Sequence, residues 1–213
     1  MKTRFLIIRF SSIGDIVLTT PVVRCLKKQF PEAEIHFLPK PAYRILLENN
    51  PYIDRIWLWE GKTGAVLESL KSLHFTRIID LHHNLRSLRV KWALRRPSSS
   101  FRKLNPGKYL LVRLKWNILP KQHLVDRYME TVSPLGVEND GLGLDYFLPQ
   151  GVEENVLNTL PSTHRNGFIA VVCGALKGTK RMPEEMLAHL CKGIPYPIVL
   201  LGGPAEAEIG KKI

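Results

Sequence analysis

The sequence predicts an α/β protein built on a parallel sheet with helices on both faces, followed by the beginning of a second α/β unit. Short apolar runs rich in β-formers alternate with longer helical stretches from residue 4 to residue 95. The run at residues 4–10 leads through a polar turn into a helix, and residues 167–173 repeat that arrangement. With 45% hydrophobic and 23% charged residues, the composition is that of a globular protein and disfavours disorder.

Each element of the first unit follows from such a run. Strands are predicted at residues 4–10, 34–38, 53–58 and 77–81, where apolar and β-branched residues cluster. Helices are predicted between and after them, at residues 16–30, 42–48, 63–73, 84–95, 109–117 and 124–135. Pro97 and three serines indicate a turn at 97–100, and the Gly-, Asp- and Pro-rich stretch 136–151 indicates a linker.

The second unit is predicted to contain strands at 167–173 and 196–201, a loop at 174–182, and helices at 183–192 and from 204. Two strands make too small a sheet to bury both faces, so we expect the chain to stop partway through this unit. We therefore divide the chain into residues 1–150 and 151–213.

The positive charge is concentrated in one window. The chain carries 31 basic and 19 acidic residues, a net charge of +12. Residues 86–127 contain 12 of the basic residues and only one acid, whereas the remaining residues hold 19 basic and 18 acidic side chains. This window predicts an anionic partner: a phosphorylated substrate, an anionic membrane surface or nucleic acid.

Other patterns narrow the class of protein. The three cysteines, Cys25, Cys173 and Cys191, are widely spaced and fit neither a disulfide framework nor a zinc site. The apolar runs fall far short of the ~20 residues that a membrane-spanning helix needs, and no secretory signal is recognisable. We expect a cytoplasmic protein with buried thiols.

The loop after the first strand, Ser11-Ser12-Ile13-Gly14-Asp15, is the first candidate site. It matches neither a dinucleotide-binding fingerprint nor a Walker A loop. Gly14 permits a close backbone approach, and Asp15 brings a carboxylate to the carboxyl edge of the sheet, where ligands of open α/β sheets bind. Ser12 and Asp15 also have the spacing of a capping box, so a purely structural role is the alternative.

Two further strand-end loops carry charge. Thr179, Lys180 and Arg181 precede a helix that begins near Pro183, which suits a diphosphate or a solvated basic turn. Asp80, His82 and His83 could suggest a metal site, but adjacent histidines on an extended chain point to opposite faces. No further ligand stands at a standard spacing, so no metal is expected. Arg86 and Arg89 follow on the next helix and are expected at the same edge as Asp15; a solvated basic helix is the alternative.

These segments resemble glycosyltransferase family 9, the heptosyltransferases of lipopolysaccharide core assembly. The resemblance lies in residues 7–21, with Ser11-Ser12-Ile13-Gly14-Asp15 and Pro21, in residues 79–87, and in Thr179-Lys180-Arg181-Met182-Pro183. It spans nearly the whole chain. The first motif is the most specific, and the third has Met182 where Trp is common. The family's later Asp-[ST]-Gly-x-x-His segment has no match.

The resemblance implies a GT-B fold of two Rossmann-like domains, the second truncated in this chain, and an inverting transfer of heptose from ADP-heptose to the lipopolysaccharide inner core. It implies that Asp15 is the catalytic base, that Thr179, Lys180 and Arg181 bind the donor, and that Ser12, Gly14, Arg86 and Arg89 bind the acceptor. No cofactor is implied. The anionic lipid A core would be met at the inner face of the cytoplasmic membrane, and the truncated chain is expected to be inactive alone.

Two alternatives stay open at this stage. A glycosyltransferase of the same fold could use another sugar of a surface polysaccharide. A non-enzymatic nucleic-acid binder would use the basic window and its aromatics, Trp92, Phe101, Tyr109 and Trp116, although no recognised nucleic-acid motif is present and no such partner is expected.

Overall fold

A computed structural model of the chain describes residues 2–61, 64–175 and 178–213. They form two compact units, Met1–Leu148 and Pro149–Ile213. Thr63, where the sequence predicts the start of a helix, lies outside the described residues, and so do Leu176 and Lys177 of the loop at 174–182.

The first unit contains a parallel five-stranded sheet. Its strands are β1 (Arg4–Ile8), β2 (Glu34–Leu38), β3 (Arg55–Ile56), β4 (Arg77–Asp80) and β5 (Ser98–Ser100), in the order β3-β2-β1-β4-β5. Ile7 of β1 is in register with Phe37 of β2 and with Ile79 of β4. This order is that of a Rossmann-like sheet, and it places the switch in connection direction between β1 and β4.

The helices of the first unit cover both faces of this sheet. They are α1 (Ile13–Val17), α2 (Thr20–Gln29), α3 (Gly64–Ser72), α4 (Leu85–Leu94), α5 (Asn105–Leu114) and α6 (Leu124–Met129). The segments Pro41–Leu46 and Ser133–Leu135 form 3-10 helices of six and three residues.

Alternate residues of the central strand point to opposite cores. Phe5 and Ile7 pack with α2 and α6, whereas Leu6 and Ile8 pack with α3 and α4. All four are at most 1% exposed. Both faces of the strand are thus buried, which explains the continuous apolar run rather than an alternating one.

The predicted turn at 97–100 is wrong, because Ser98–Ser100 forms the edge strand β5. Its backbone pairs in parallel with β4, with Ser99 opposite Ile79. Edge strands need backbone partners more than apolar side chains, so three serines carry no strand signal in the sequence.

Other boundaries also differ from prediction. The helix predicted at 16–30 is two helices, because Pro21 lies in the first turn of a new helix and lacks an N–H. The segment predicted as a helix at 42–48 is a 3-10 turn, and the helix predicted at 109–117 begins four residues earlier, at Asn105.

The segment predicted as a linker, 136–151, is bound to the first unit along much of its length. Arg24 of α2 is only 2% exposed and donates hydrogen bonds to Asp140 (2.7 and 2.9 Å), to Asp145 and to the Gly143 carbonyl (2.9 Å). The hydrogen bond from Arg24 is the largest cause that holds the pKa of Asp140 below its ordinary value, against burial, which would raise it. Residues 136–148 of this stretch are therefore part of the folded first unit.

The second unit contains α7 (Val152–Thr159), β6 (Ile169–Val172), α8 (Glu184–Lys192), β7 (Ile198–Leu201) and α9 (Ala207–Lys212). The two strands pair in parallel, with Val171 opposite Leu200. Helix α7 is not predicted from the sequence. Pro183 is the residue before α8 rather than its first helical residue. Val172 is 69% exposed and Leu201 46%, so this sheet leaves apolar surface open.

Candidate active site

Asp15 lies where the fold of an open α/β sheet favours ligand binding. It sits in the first turn of α1, directly after β1, at the carboxyl edge and beside the β1–β4 switch point. Its side chain is 33% exposed. Ser12 caps the helix, and Asp15 accepts hydrogen bonds from the Ser12 N–H (3.3 Å) and hydroxyl (2.9 Å). The capping geometry is thus present, and the carboxylate still reaches solvent.

Arg9 is the second partner of Asp15. Its Nη2 lies 2.5 Å from Asp15 Oδ2, and its Nη1 donates to the Leu81 carbonyl at 2.6 Å. The Arg9 side chain is only 9% exposed, and its contacts with Asp15 and with the Leu81 carbonyl, directly after β4, hold the guanidinium in place. Burial alone would raise the pKa of Asp15, but the Arg9 charge and the Ser12 hydrogen bonds together hold that pKa below its ordinary value. The carboxylate is therefore ionised at neutral pH.

Asp15 and Arg9 open into a cleft of about 350 Å³. Its other walls come from His82 after β4, from the chain after β5, and from α6, and they carry two more cations, Lys103 and Arg127. The full lining is Arg9, Asp15, His82, Phe101, Lys103, Leu104, Asn105, Leu124, Arg127 and Tyr128. The cleft therefore combines one carboxylate with a cationic rim.

Three buried polar atoms on this cleft have no hydrogen-bond partner among the described residues: Arg9 Nε, His82 Nδ1 and the Tyr128 hydroxyl. Burial, aided by Arg9 and Lys103, lowers the pKa of His82 to about 4, so its ring is neutral at pH 7. Burial raises the pKa of Tyr128 to about 12, so its hydroxyl stays protonated. Unpaired buried polar atoms are costly, and three in one cleft indicate a site for a ligand with several hydroxyl or oxygen groups.

The structure separates the other predicted acceptor residues. Gly14 lies beside Asp15, and a Cβ added there would meet nothing within 4 Å, so its own surroundings do not require glycine. Arg86 lines a different cleft, with Lys40, Trp59 and Glu60, and Arg89 lines neither of the two. Arg86 and Arg89 are thus not among the residues that line the Asp15 cleft, and their part in acceptor binding stays a prediction.

Asp80 has a structural role in the described structure. It is fully buried, lies 3.0 Å from Lys91, and accepts hydrogen bonds from the His82 and His83 N–H groups at 3.1 and 2.7 Å. His83 contacts the Phe101 carbonyl at 2.7 Å. Asp80 thus fixes the turn that points His82 into the cleft.

The predicted donor residues lie in the second unit, at the carboxyl end of its sheet. Thr179 and Lys180 are exposed on a 3-10 turn, Gly178–Lys180. Arg181 donates to the Ala175 carbonyl at 2.6 Å and lines a glycine-rich cleft of about 470 Å³. Glu206 also lines this cleft, 3.6 Å from Arg181, and accepts the Gly203 N–H at 3.0 Å.

Sequence reasoning missed Arg9, Lys103, Arg127 and Tyr128 as parts of the Asp15 cleft. Arg9 follows the last residue of β1 and could have been found from its strand-end position. Arg127 and Tyr128 come from a helix more than 100 residues later, and only the fold brings them to Asp15.

The pairing of Arg9 with Asp15 gives a testable pH effect. We expect Arg9→Gln to raise the pKa of Asp15, because burial then acts without the opposing charge. A carboxylate that acts as a base must be ionised, so the acid limb of kcat/KM should move to higher pH. Arg9→Lys, which retains the charge, should move it less. An acid limb that stays in place in Arg9→Gln would separate Asp15 from the reaction.

No protein-family model matches the chain. Lipopolysaccharide heptosyltransferase 1 of Campylobacter coli is 26% identical to it, over 97% of this chain and 67% of the relative. The glycosyl transferase family 9 structure from Veillonella parvula covers 99% of this chain and 65% of its own, with a TM-score of 0.72 and 23% identity. E. coli heptosyltransferase WaaC with ADP covers 99% and 70%, with a TM-score of 0.69 and 21% identity.

The chain therefore spans about two thirds of the length of these proteins. Its α/β architecture, with a five-stranded parallel sheet of Rossmann-like type, is that of the family 9 structures.

Proposed function

We propose that this chain, a relative of the lipopolysaccharide heptosyltransferases with the fold of glycosyltransferase family 9, is part of an enzyme for inverting transfer of a heptose from ADP-heptose to the lipopolysaccharide inner core. The observation that carries the proposal is the Asp15 carboxylate, ionised and one-third exposed at the floor of a cation-rimmed cleft. Such a group is placed to remove a proton from a bound hydroxyl.

In the proposed step, an acceptor hydroxyl oxygen attacks the anomeric carbon of the donor. The new bond is between that oxygen and the carbon, and the bond from the carbon to the diphosphate oxygen breaks. The hydroxyl proton passes to Asp15, and ADP leaves with the bonding electron pair. A single displacement inverts the anomeric centre. General-base assistance of this kind contributes about 10²- to 10⁴-fold to rate.

The cationic rim supports an anionic acceptor. Arg9, Lys103 and Arg127 surround the cleft, and Arg127 Nη2 also contacts the Arg102 carbonyl. Phosphates and carboxylates of a Kdo-lipid A or heptosyl acceptor are complementary to these charges. The unpaired His82 and Tyr128 groups would meet sugar hydroxyls. We propose that this acceptor is reached at the inner face of the cytoplasmic membrane; the described residues include no helix long and apolar enough to cross it.

For the donor, we propose that Lys180 and Thr179 meet the diphosphate of ADP-heptose near the start of α8. The WaaC structure holds ADP, which supports a nucleotide-sugar partner. Arg181 would shape this loop, since its guanidinium already bonds the Ala175 carbonyl.

A substitution at Lys180 tests the donor assignment. We expect Lys180→Gln to weaken ADP binding by about tenfold, the loss of one charge-assisted contact. Lys192→Gln, an equally exposed lysine at the other end of α8, should leave the affinity unchanged. Isothermal titration with ADP measures both. Equal affinity of Lys180→Gln and the unchanged protein would remove Lys180 from the donor site.

Transfer itself is tested in the enzyme of which this chain is part, with labelled ADP-heptose and Kdo-lipid A or a heptosylated acceptor. We expect a labelled product whose anomeric configuration is opposite to that of the donor, determined by nuclear magnetic resonance. Transfer from another nucleotide-sugar, with none from ADP-heptose, would favour the same-fold enzyme for a different surface polysaccharide.

A further inference from the structure

Helix α5 and the residues after it, as far as Leu119, form a hairpin next to the Asp15 cleft in the sequence. Helix α5 ends at Leu114, Lys115 takes a left-handed conformation (φ 59°), and the chain turns back. Leu119 then lies so close to Gly107 that a Cβ there would come within 2.8 Å of it. This contact joins the returning chain to the helix.

The outer side of this hairpin is apolar and exposed. Five large side chains in ten residues are each more than half exposed: Tyr109 63%, Val112 70%, Leu114 56%, Trp116 65% and Ile118 61%. Isolated exposed apolar residues are ordinary, but a cluster of this kind marks an interaction surface.

The charge around the cluster identifies its partner. Residues 101–125 contain six basic residues and no acid: Arg102, Lys103, Lys108, Arg113, Lys115 and Lys121. Pairing with a second copy of the same surface would bring like charges together, which disfavours self-association. A lipid surface with anionic headgroups is complementary to both the apolar cluster and the positive charge around it. Apolar and aromatic side chains enter the interface, while Lys and Arg remain at the headgroups.

We propose that residues 109–118, the anchor hairpin, insert into the headgroup region of an anionic membrane. The inference deepens the proposed function, on which its biological meaning rests, by assigning membrane contact to a defined element with an apolar component. Val112 and Trp116 supply the insertion, and Arg113 and Lys115 supply the attraction.

The anchor hairpin is continuous with the candidate active site. Leu104 and Asn105, which lead into α5, line the Asp15 cleft. Docking of the hairpin would therefore hold the cleft next to the headgroup layer, where a lipid-linked acceptor presents its sugars.

Vesicle co-sedimentation tests the proposal. The probes are phosphatidylcholine vesicles with and without phosphatidylglycerol. We expect binding only to the anionic vesicles. Arg113→Gln with Lys115→Gln should weaken it by about 30-fold, since each cation near such a surface is worth roughly fivefold. Val112→Gln with Trp116→Gln should weaken it by about tenfold or more.

A matched control replaces two apolar residues of the first unit that are equally exposed and lie outside the basic window. Ile45 and Leu142 are 63% and 67% exposed, and Ile45→Gln with Leu142→Gln should leave vesicle binding unchanged. Circular dichroism and thermal unfolding establish that each variant is folded, which is expected because all the replaced side chains are exposed.

Three outcomes would overturn the proposal. The first is that Arg113→Gln with Lys115→Gln loses vesicle binding while Val112→Gln with Trp116→Gln binds vesicles normally, which describes a purely electrostatic surface. The second is a lipid-free oligomer that dissociates in Val112→Gln with Trp116→Gln, which assigns the hairpin to a second copy. The third is salt-sensitive RNA binding that the apolar variant abolishes while vesicle binding persists.

The proposed function is tested separately, in the enzyme of which this chain is part, by transfer to a water-soluble, deacylated acceptor. We expect the anchor variants to retain that transfer, because their side chains lie outside the cleft. Vesicle binding without any transfer would contradict the proposed function alone, and transfer without vesicle binding would contradict the anchor alone.

Discussion

In the enzyme of which this chain is part, turnover should fall by on the order of 100-fold or more in Asp15→Asn, with the protein still folded. The amide retains a hydrogen-bonding oxygen for the Ser12 cap but cannot take a proton from an attacking hydroxyl. The defect should appear in kcat more than in the KM of the acceptor, because the lost interaction acts in the transition state. Steady-state kinetics with saturating donor measure both constants.

Asp126→Asn is the matched control. Asp126 is also an acid in the first turn of a short helix, α6, but it is exposed and is not among the residues that line the Asp15 cleft. We expect near-normal kcat in this variant. A near-normal kcat in Asp15→Asn as well would leave Asp15 with its capping role only.

Loss of Arg24 should have the largest effect on stability. Arg24→Met would leave Asp140 and Asp145, about one-fifth exposed, close to each other without the cation that both contact. Removing one partner of a buried ion pair typically costs several kcal/mol, because the other charge is left uncompensated. We expect the free energy of unfolding to fall by about 3 kcal/mol. Lys28→Met removes a 43% exposed partner of Asp140 and should cost less than about 1 kcal/mol. Denaturant titration at neutral pH measures these changes.

The same substitution has a predictable pH dependence. In the folded protein the pKa of Asp140 lies below its ordinary value of 3.8, mainly through the Arg24 hydrogen bond. Its contribution to stability is therefore complete above pH 3.8 and is lost as the pH falls below it. The difference in free energy of unfolding between Arg24→Met and the unchanged protein should therefore become smaller as the pH is lowered through this range. A gap that stays constant would mean that the ion pairs do not account for the loss.

The order and type of the elements could be predicted well where packing agrees with local pattern. The run at Arg4–Ile8 is apolar on both faces because helices cover both sides of the sheet, and that pattern is visible in the sequence. Ser98–Ser100 could not be predicted, because its strand conformation depends on the backbone of β4 and not on its own side chains. The sequence predicts a linker at 136–151, because the order of residues does not show that Arg24 is buried or that it binds Asp140 and Asp145.

The sequence by itself determined the α/β class, the strand-end position of Asp15 and the concentration of charge at 86–127, since each depends on residues close together in the chain. Only the tertiary structure decided which of those charges share a cleft with Asp15. The parallel crossovers bring Arg9, His82, Lys103 and Arg127 from four segments to one edge of the sheet, while Arg86 lines a different cleft. Side-chain direction depends on how each element packs, and that information is distributed over the whole chain.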